Sequence, residues 1–222
     1  MKKSIIALSL VLIFLLASCE QTDVVGKSAI SSFSVLLNTI PDEVTEDEMY
    51  GGWSLSAPDG SARFFWSKNF NNDAEYDVMI RFVAQPFIDA GLDVDKLPDG
   101  MYYDGKITVG TNLGEDDLTY KDKATPLASF EKIVELKRES VKYHASLDHY
   151  GVDLAGGNMF EWAKDMSTND KDIVFVLNPE VFIDAGMDPN SVEGWVFAKV
   201  SVMDEDQKSV ELDKLLKPFN LK

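Results

Sequence analysis

The chain has 222 residues, with 21 basic against 38 acidic side chains, a net charge of −17, and 45% apolar residues that include 13 Phe. That length suits one domain or two small ones with a filled core, and the acidity argues against nucleic acid or anionic headgroups as partners. One Cys excludes an intrachain disulfide, and two His fall short of the usual Cys/His set for a transition metal.

Residues 1–18 have the three parts of a secretory signal peptide: Lys2 and Lys3, an apolar run over 5–16, and the small residues Ala17 and Ser18. The run is shorter than the ~20 residues of a spanning helix. Leu16-Ala17-Ser18-Cys19 resembles the lipobox of bacterial lipoprotein precursors. In that family the cysteine becomes the first mature residue and carries a thioether-linked diacylglycerol. The resemblance therefore implies lipidation at Cys19, a lipidated tether over 19–27, and a place in the bacterial cell envelope, at the outer membrane or the outer face of the cytoplasmic membrane. Two or more acyl chains give a stable anchor where one gives reversible binding.

From Ala29 the apolar positions Ile30, Phe33, Leu36, Leu37 and Ile40 recur at helical spacing until Pro41. Thr45-Glu46-Asp47-Glu48 fits a capping box and predicts a short helical turn to Tyr50. Residues 53–57 and 61–67 read as a hairpin about Pro58-Asp59-Gly60, and 76–83 as a strand. Pro86 opens a short helix and Gly91 closes it. Strands are expected at 106–112 and 118–121. Thr125-Pro126 then opens an amphipathic helix expected to run to about Asp148. Glu131, Lys132, Glu135, Arg138, Glu139 and Lys142 fall in one arc of it, and Phe130, Ile133, Val134, Leu136, Val141 and Leu147 in the other.

The pattern then starts again. Phe182-Ile183-Asp184-Ala185-Gly186 repeats Phe87-Ile88-Asp89-Ala90-Gly91 at a distance of 95 residues, and from Asp77 against Asp172 to Asp93 against Asp188 the register holds with 7 of 17 positions identical. A Gly156-Gly157-Asn158 turn joins a second hairpin, 173–177 is the strand before the second short helix, and Trp162 answers Trp66. Strands at 195–202 and 210–212 follow. The expected fold is α+β, built by internal duplication from two similar halves over 28–124 and 125–222, each a helix, hairpin, strand, short helix and two strands, packed as one globular unit. The alternative is a β-sandwich with one long helix.

Chemistry-bearing residues are few. His144 falls on the apolar face of the long helix, with Asp148 one turn on to orient it, the setting of an acid–base or ligand group. The plainer reading is a buried histidine bonded to a backbone carbonyl. On a helix, His144 and His149 would point ~140° apart and could not share a metal. Tyr143, Asp148, His149 and Tyr150 join His144 at the link between the halves. Trp66 and Trp162 offer rings for a sugar or peptide, or simply a shared core. Asp89 and Asp184 oppose the dipole of their short helices and call for an offsetting partner.

The acidic loops Glu115-Asp116-Asp117 and Asp204-Glu205-Asp206 could hold calcium but lack EF-hand spacing, and no other cofactor is implied. No P-loop, Gly-x-Ser-x-Gly or dinucleotide fingerprint points to catalysis. The expected function is non-catalytic binding of a small molecule, glycan or envelope protein in the cleft between the halves, by a chain held at the membrane through Cys19. A structural or assembly lipoprotein is the alternative, and a hydrolase using His144 the second alternative.

Overall fold

A computed structural model describes residues 23–68, 70, 76–113, 124–145, 147–166, 171–203 and 208–221. Cys19, the signal peptide, the expected strand at 118–121 and both acidic loops lie outside them. The first helix, α1, covers residues 23–39, so it takes in the end of the expected tether. Its buried stripe of Gly26, Ala29, Ser32, Phe33 and Leu36 keeps the helical period.

Where a helical turn is expected there is instead a strand, β1 (Val44–Asp47), paired antiparallel with β2 (Gly52–Ser56). β-branched Val44 and Thr45 suit a pleated surface, and the Thr45 and Ser54 hydroxyls hydrogen-bond across the pair at 3.0 Å. Asp47 accepts from the Met49 and Tyr50 N–H groups, so the side chain read as part of a cap closes a turn. The hairpin partner β3 (Ala62–Ser67), then β4 (Val78–Val83) and the short helix α2 (Gln85–Asp89), lie close to expectation. β5 (Met101–Tyr103) and β6 (Lys106–Thr111) complete the first sheet, in the order β1-β2-β3-β4-β6-β5.

The helix expected to reach Asp148 stops early: α3 is Pro126–Leu136, capped at its start by the Thr125 hydroxyl on the Ala128 N–H. The charged arc continues past it, but Val141, Tyr143 and His144 favour an extended chain, and pairing with the next strand overrides the helical period. The result is β7 (Lys142–His144), followed by β8 (His149–Asp153), β9 (Met159–Ala163), β10 (Ile173–Leu177), α4 (Glu180–Asp184), β11 (Val196–Met203) and β12 (Ser209–Phe219). The second sheet runs β7-β8-β9-β10-β12-β11, the order of the first sheet repeated strand for strand. The fold is therefore mixed α+β in two halves. The pairing makes β12 the counterpart of β6.

The two halves exchange their helices. Ser32 of α1 lies 2.9 and 3.0 Å from the Ala163 and Lys164 carbonyls at the end of β9, in the other half. Ser129 of α3 bonds the Ser67 carbonyl at the end of β3, and the Trp66 indole N–H donates to the Pro126 carbonyl at 3.0 Å. Phe33 and Phe130 stack where α1 and α3 cross, with centroids 3.5 Å apart, and Phe64 of β3 stacks on Phe160 of β9 at 3.8 Å. One contiguous buried cluster draws on both sheets and both helices.

The repeated Phe-Ile-Asp-Ala-Gly stretches also meet. The Asp93 N–H donates to the Ala185 carbonyl at 2.8 Å, and the Asp188 N–H to the Ala90 carbonyl at 2.7 Å. Gly91 (φ 98°) and Gly186 (φ 100°) face each other there, and a Cβ on either would sit 2.8 or 2.9 Å from the other's carbonyl oxygen. A device repeated once in each half stands at the strand starts. Buried Asp77 accepts the Leu113 N–H at 2.7 Å, and buried Asp172 accepts the Leu221 N–H at 2.8 Å, each carboxylate fixing the chain as it leaves the neighbouring strand.

Candidate functional site

Trp66 and Trp162 are wholly buried among Phe33, Phe64, Phe130 and Phe160, so both serve the core. The junction where a cleft was expected is filled by these rings and, further along, by Phe82, Phe87, Phe182 and Trp195. Asp89 is exposed and accepts the Gln85 side-chain amide at 2.7 Å, which answers its position in the last turn. Asp184 is exposed to water.

The remaining expected residues lie on the β7–β8 hairpin. Tyr143 faces Tyr150 and His144 faces His149 across the pair, so the two imidazoles share a face instead of diverging around a helix. Tyr150 is buried beside Trp162, whereas Tyr143 is exposed, bonds Asp148 through its hydroxyl and lies under the Lys164 ammonium. His144 and His149 converge on Glu161 of β9, a residue the sequence reading passed over. His144 Nδ1 is 3.0 Å from Glu161 Oε1, and His149 Nδ1 is 3.7 Å from Oε2. The imidazoles thus approach opposite oxygens. Among the described residues no group of three or more His, Cys, Asp or Glu is arranged to hold a metal ion.

A concavity lies elsewhere, on the outer face of the first sheet. Arg63 of β3 and Arg81 of β4 stand directly opposite one another in register, an arrangement that repels unless countercharge is near. Asp47 provides it for Arg63 at 3.1 Å, and Asp104 for Arg81 at 2.6 Å. The turn after β1 folds Tyr50 onto this face, where its hydroxyl accepts from Arg81 at 3.1 Å and its ring meets Phe65 edge-on. Arg63, Arg81, Asp47, Tyr50, Phe65 and Lys106 line a cavity of about 230 Å³. Tyr50 also forms one wall of a wider groove of about 530 Å³, lined by Met49, Tyr76, Tyr102 and Asp104.

The electrostatics follow from this packing. Burial and the neighbouring Tyr102 hydroxyl push the Tyr50 phenol up to about 12, so it remains a neutral donor and acceptor. Burial alone would raise the Asp104 carboxyl, but the Arg81 guanidinium outweighs it and holds the group below its usual range. Arg81 Nε is buried with no hydrogen-bond partner, and Lys106 makes no ion pair among the described residues. Beyond its two arginines, each countered by an aspartate, the cavity therefore carries the added positive charge of Lys106 on a strongly acidic chain.

The equivalent positions of the second sheet carry none of this: Met159 and Val176 stand where Arg63 and Arg81 do. What the two halves share is what their common strand order needs; the arginine pair is not part of that. No protein-family model, curated protein or solved structure matches this chain.

Proposed function

We propose that this protein is a non-catalytic, lipid-anchored component of the bacterial cell envelope that binds a small anionic molecule on the outer face of its first sheet. The cross-strand Arg63–Arg81 pair carries the reading. It lines a cavity with Lys106 on a chain of net charge −17, where an incidental surface would be acidic. Guanidinium groups recognise carboxylate and phosphate through paired N–H donors, and Tyr50 adds an apolar ring and a hydroxyl. The anchor rests on the Leu16-Ala17-Ser18-Cys19 lipobox. Among the described residues no helix is long and apolar enough to cross a membrane.

Calorimetric titration of the protein with inorganic phosphate and with small mono- and dicarboxylates, each beside a neutral analogue, tests the site. Anions are expected to bind, more weakly at high salt. Lys106→Gln should weaken binding roughly tenfold, the effect of losing one charged hydrogen bond. Equal affinity for neutral analogues, or an unchanged Lys106→Gln variant, would overturn the reading. The anchor is tested by fractionation, where Cys19→Ser should move the protein from membrane to soluble fraction.

A further inference from the structure

Glu161 is an ionisable side chain on the outer face of the second sheet, yet 97% of it is hidden from solvent, as is 96% of the His149 side chain beside it. His144 reaches this carboxylate from β7 across the intervening strand β8. It can do so because Gly151 of β8 lies opposite both Lys142 and Glu161 and carries no side chain. A Cβ there would stand 3.3 Å from Glu161 Cγ and 3.6 Å from His144 Cε1. β7 is a three-residue edge strand paired with β8 alone, so this contact ties it to a strand with which it shares no backbone ladder. The topologically equivalent positions in the first sheet are Asp47, Gly52 and Phe65, which form no such cluster.

We propose that His144, Glu161 and His149 form a proton-operated latch that fastens the edge strand β7 to the second sheet. With His144 protonated and Glu161 ionised, the buried carboxylate is neutralised and β7 is held. When His144 releases its proton through its solvent-facing side, the carboxylate keeps its charge without a cation, and the strand loosens. Other charges near the cluster leave that balance in place. Lys142 of β7 faces Asp153 of β8 at 3.8 Å, and Asp148 beside His149 faces Lys164 at 3.6 Å, while Lys214 of β12 points to the Gly157 carbonyl.

The direction with pH follows. The Glu161 contact raises His144 above 6.5, against the effect of burial, so its contribution is complete below that value and fades as pH rises through the raised one. Burial pushes Glu161 up, but the two imidazoles outweigh it and hold the carboxyl below 4.5. Its contribution is present above 4.5 and fades as pH falls through the lowered value. The latch is therefore fully closed between about 4.5 and 6.5 and opens toward alkaline pH.

With two histidines in the chain, the imidazole Cε1–H resonances can be followed one by one by NMR. His144 should titrate above 6.5 and fall back in Glu161→Gln. Amide exchange of β7, taken as a ratio to that of the equivalent edge strand β1, should rise roughly tenfold between pH 6 and pH 9, the loss of a charge-assisted hydrogen bond. His144→Gln should remove that pH dependence. A wild-type His144 midpoint at or below 6.5, or a ratio that stays flat with pH, overturns the proposal, and both are read on the unmodified protein.

Discussion

Replacing Gly91 with alanine is expected to destabilise the protein by about 3–5 kcal/mol. Its φ of 98° is closed to other residues at a cost of roughly 1–2 kcal/mol. The new Cβ would also press on the Gly186 carbonyl and part the two loops, releasing the reciprocal Asp93–Ala185 and Asp188–Ala90 hydrogen bonds at about 1 kcal/mol each. For a chain of this size the melting temperature should fall by roughly 10 °C. Gly186→Ala should behave alike, by the symmetry of the contact. The double variant should cost less than the sum of the singles, since one separation relieves both clashes. Urea unfolding of the four proteins measures this; a single-variant cost below about 1 kcal/mol, or strict additivity, would show that the loops do not bear on each other.

Phe33→Ala should be of similar size, about 3–5 kcal/mol, because the ring is wholly buried and cannot be replaced by local collapse. It stacks on Phe130 and meets Trp66 and Trp162 edge-on at 5.6 and 5.5 Å, so one side chain of α1 supports both halves. Phe33→Leu, which keeps most of the volume, should cost less than half as much. Since Phe33 touches both buried indoles, the alanine variant should also shift native-state tryptophan fluorescence. Unchanged emission together with a cost near 1 kcal/mol would place the centre of the core elsewhere.

Local signals carried much of the architecture. The helical spacing after Ala29, the Pro58-Asp59-Gly60 and Gly156-Gly157-Asn158 turns and the Pro86-to-Gly91 interval each name their element, since turn residues and apolar periods act within a few positions. The 95-residue repeat foretold two halves, and its two copies turn out to touch. The strands β1 and β7 were missed because both are short edges that exist only by pairing, and near β7 a charged helical arc runs on past the point where the helix stops.

The sites were less legible. His144, His149, Tyr143 and Asp148 drew notice as local neighbours, but Glu161 comes to the imidazoles by strand register. Arg63, Arg81, Lys106 and Tyr50 gather from β3, β4, β6 and a turn, again by register alone. A hint was present: outward-pointing arginines on two adjacent strands of an acidic chain.

The exchanged helices bear on how the chain reaches this state. Ser32 finds its partner 131 residues later, and Ser129 finds Ser67 62 residues earlier, so neither helix completes its hydrogen bonds within its own half. Closing long loops adds little to the final free energy, but contacts so distant in sequence slow the search for the native arrangement. As the chain is made, α1 can meet Trp66 of β3, but its Phe130, Trp162 and Ala163 contacts wait until β9 has been synthesised. Two halves that look like independent modules are thus tied together by contacts that only the full length of the chain can supply.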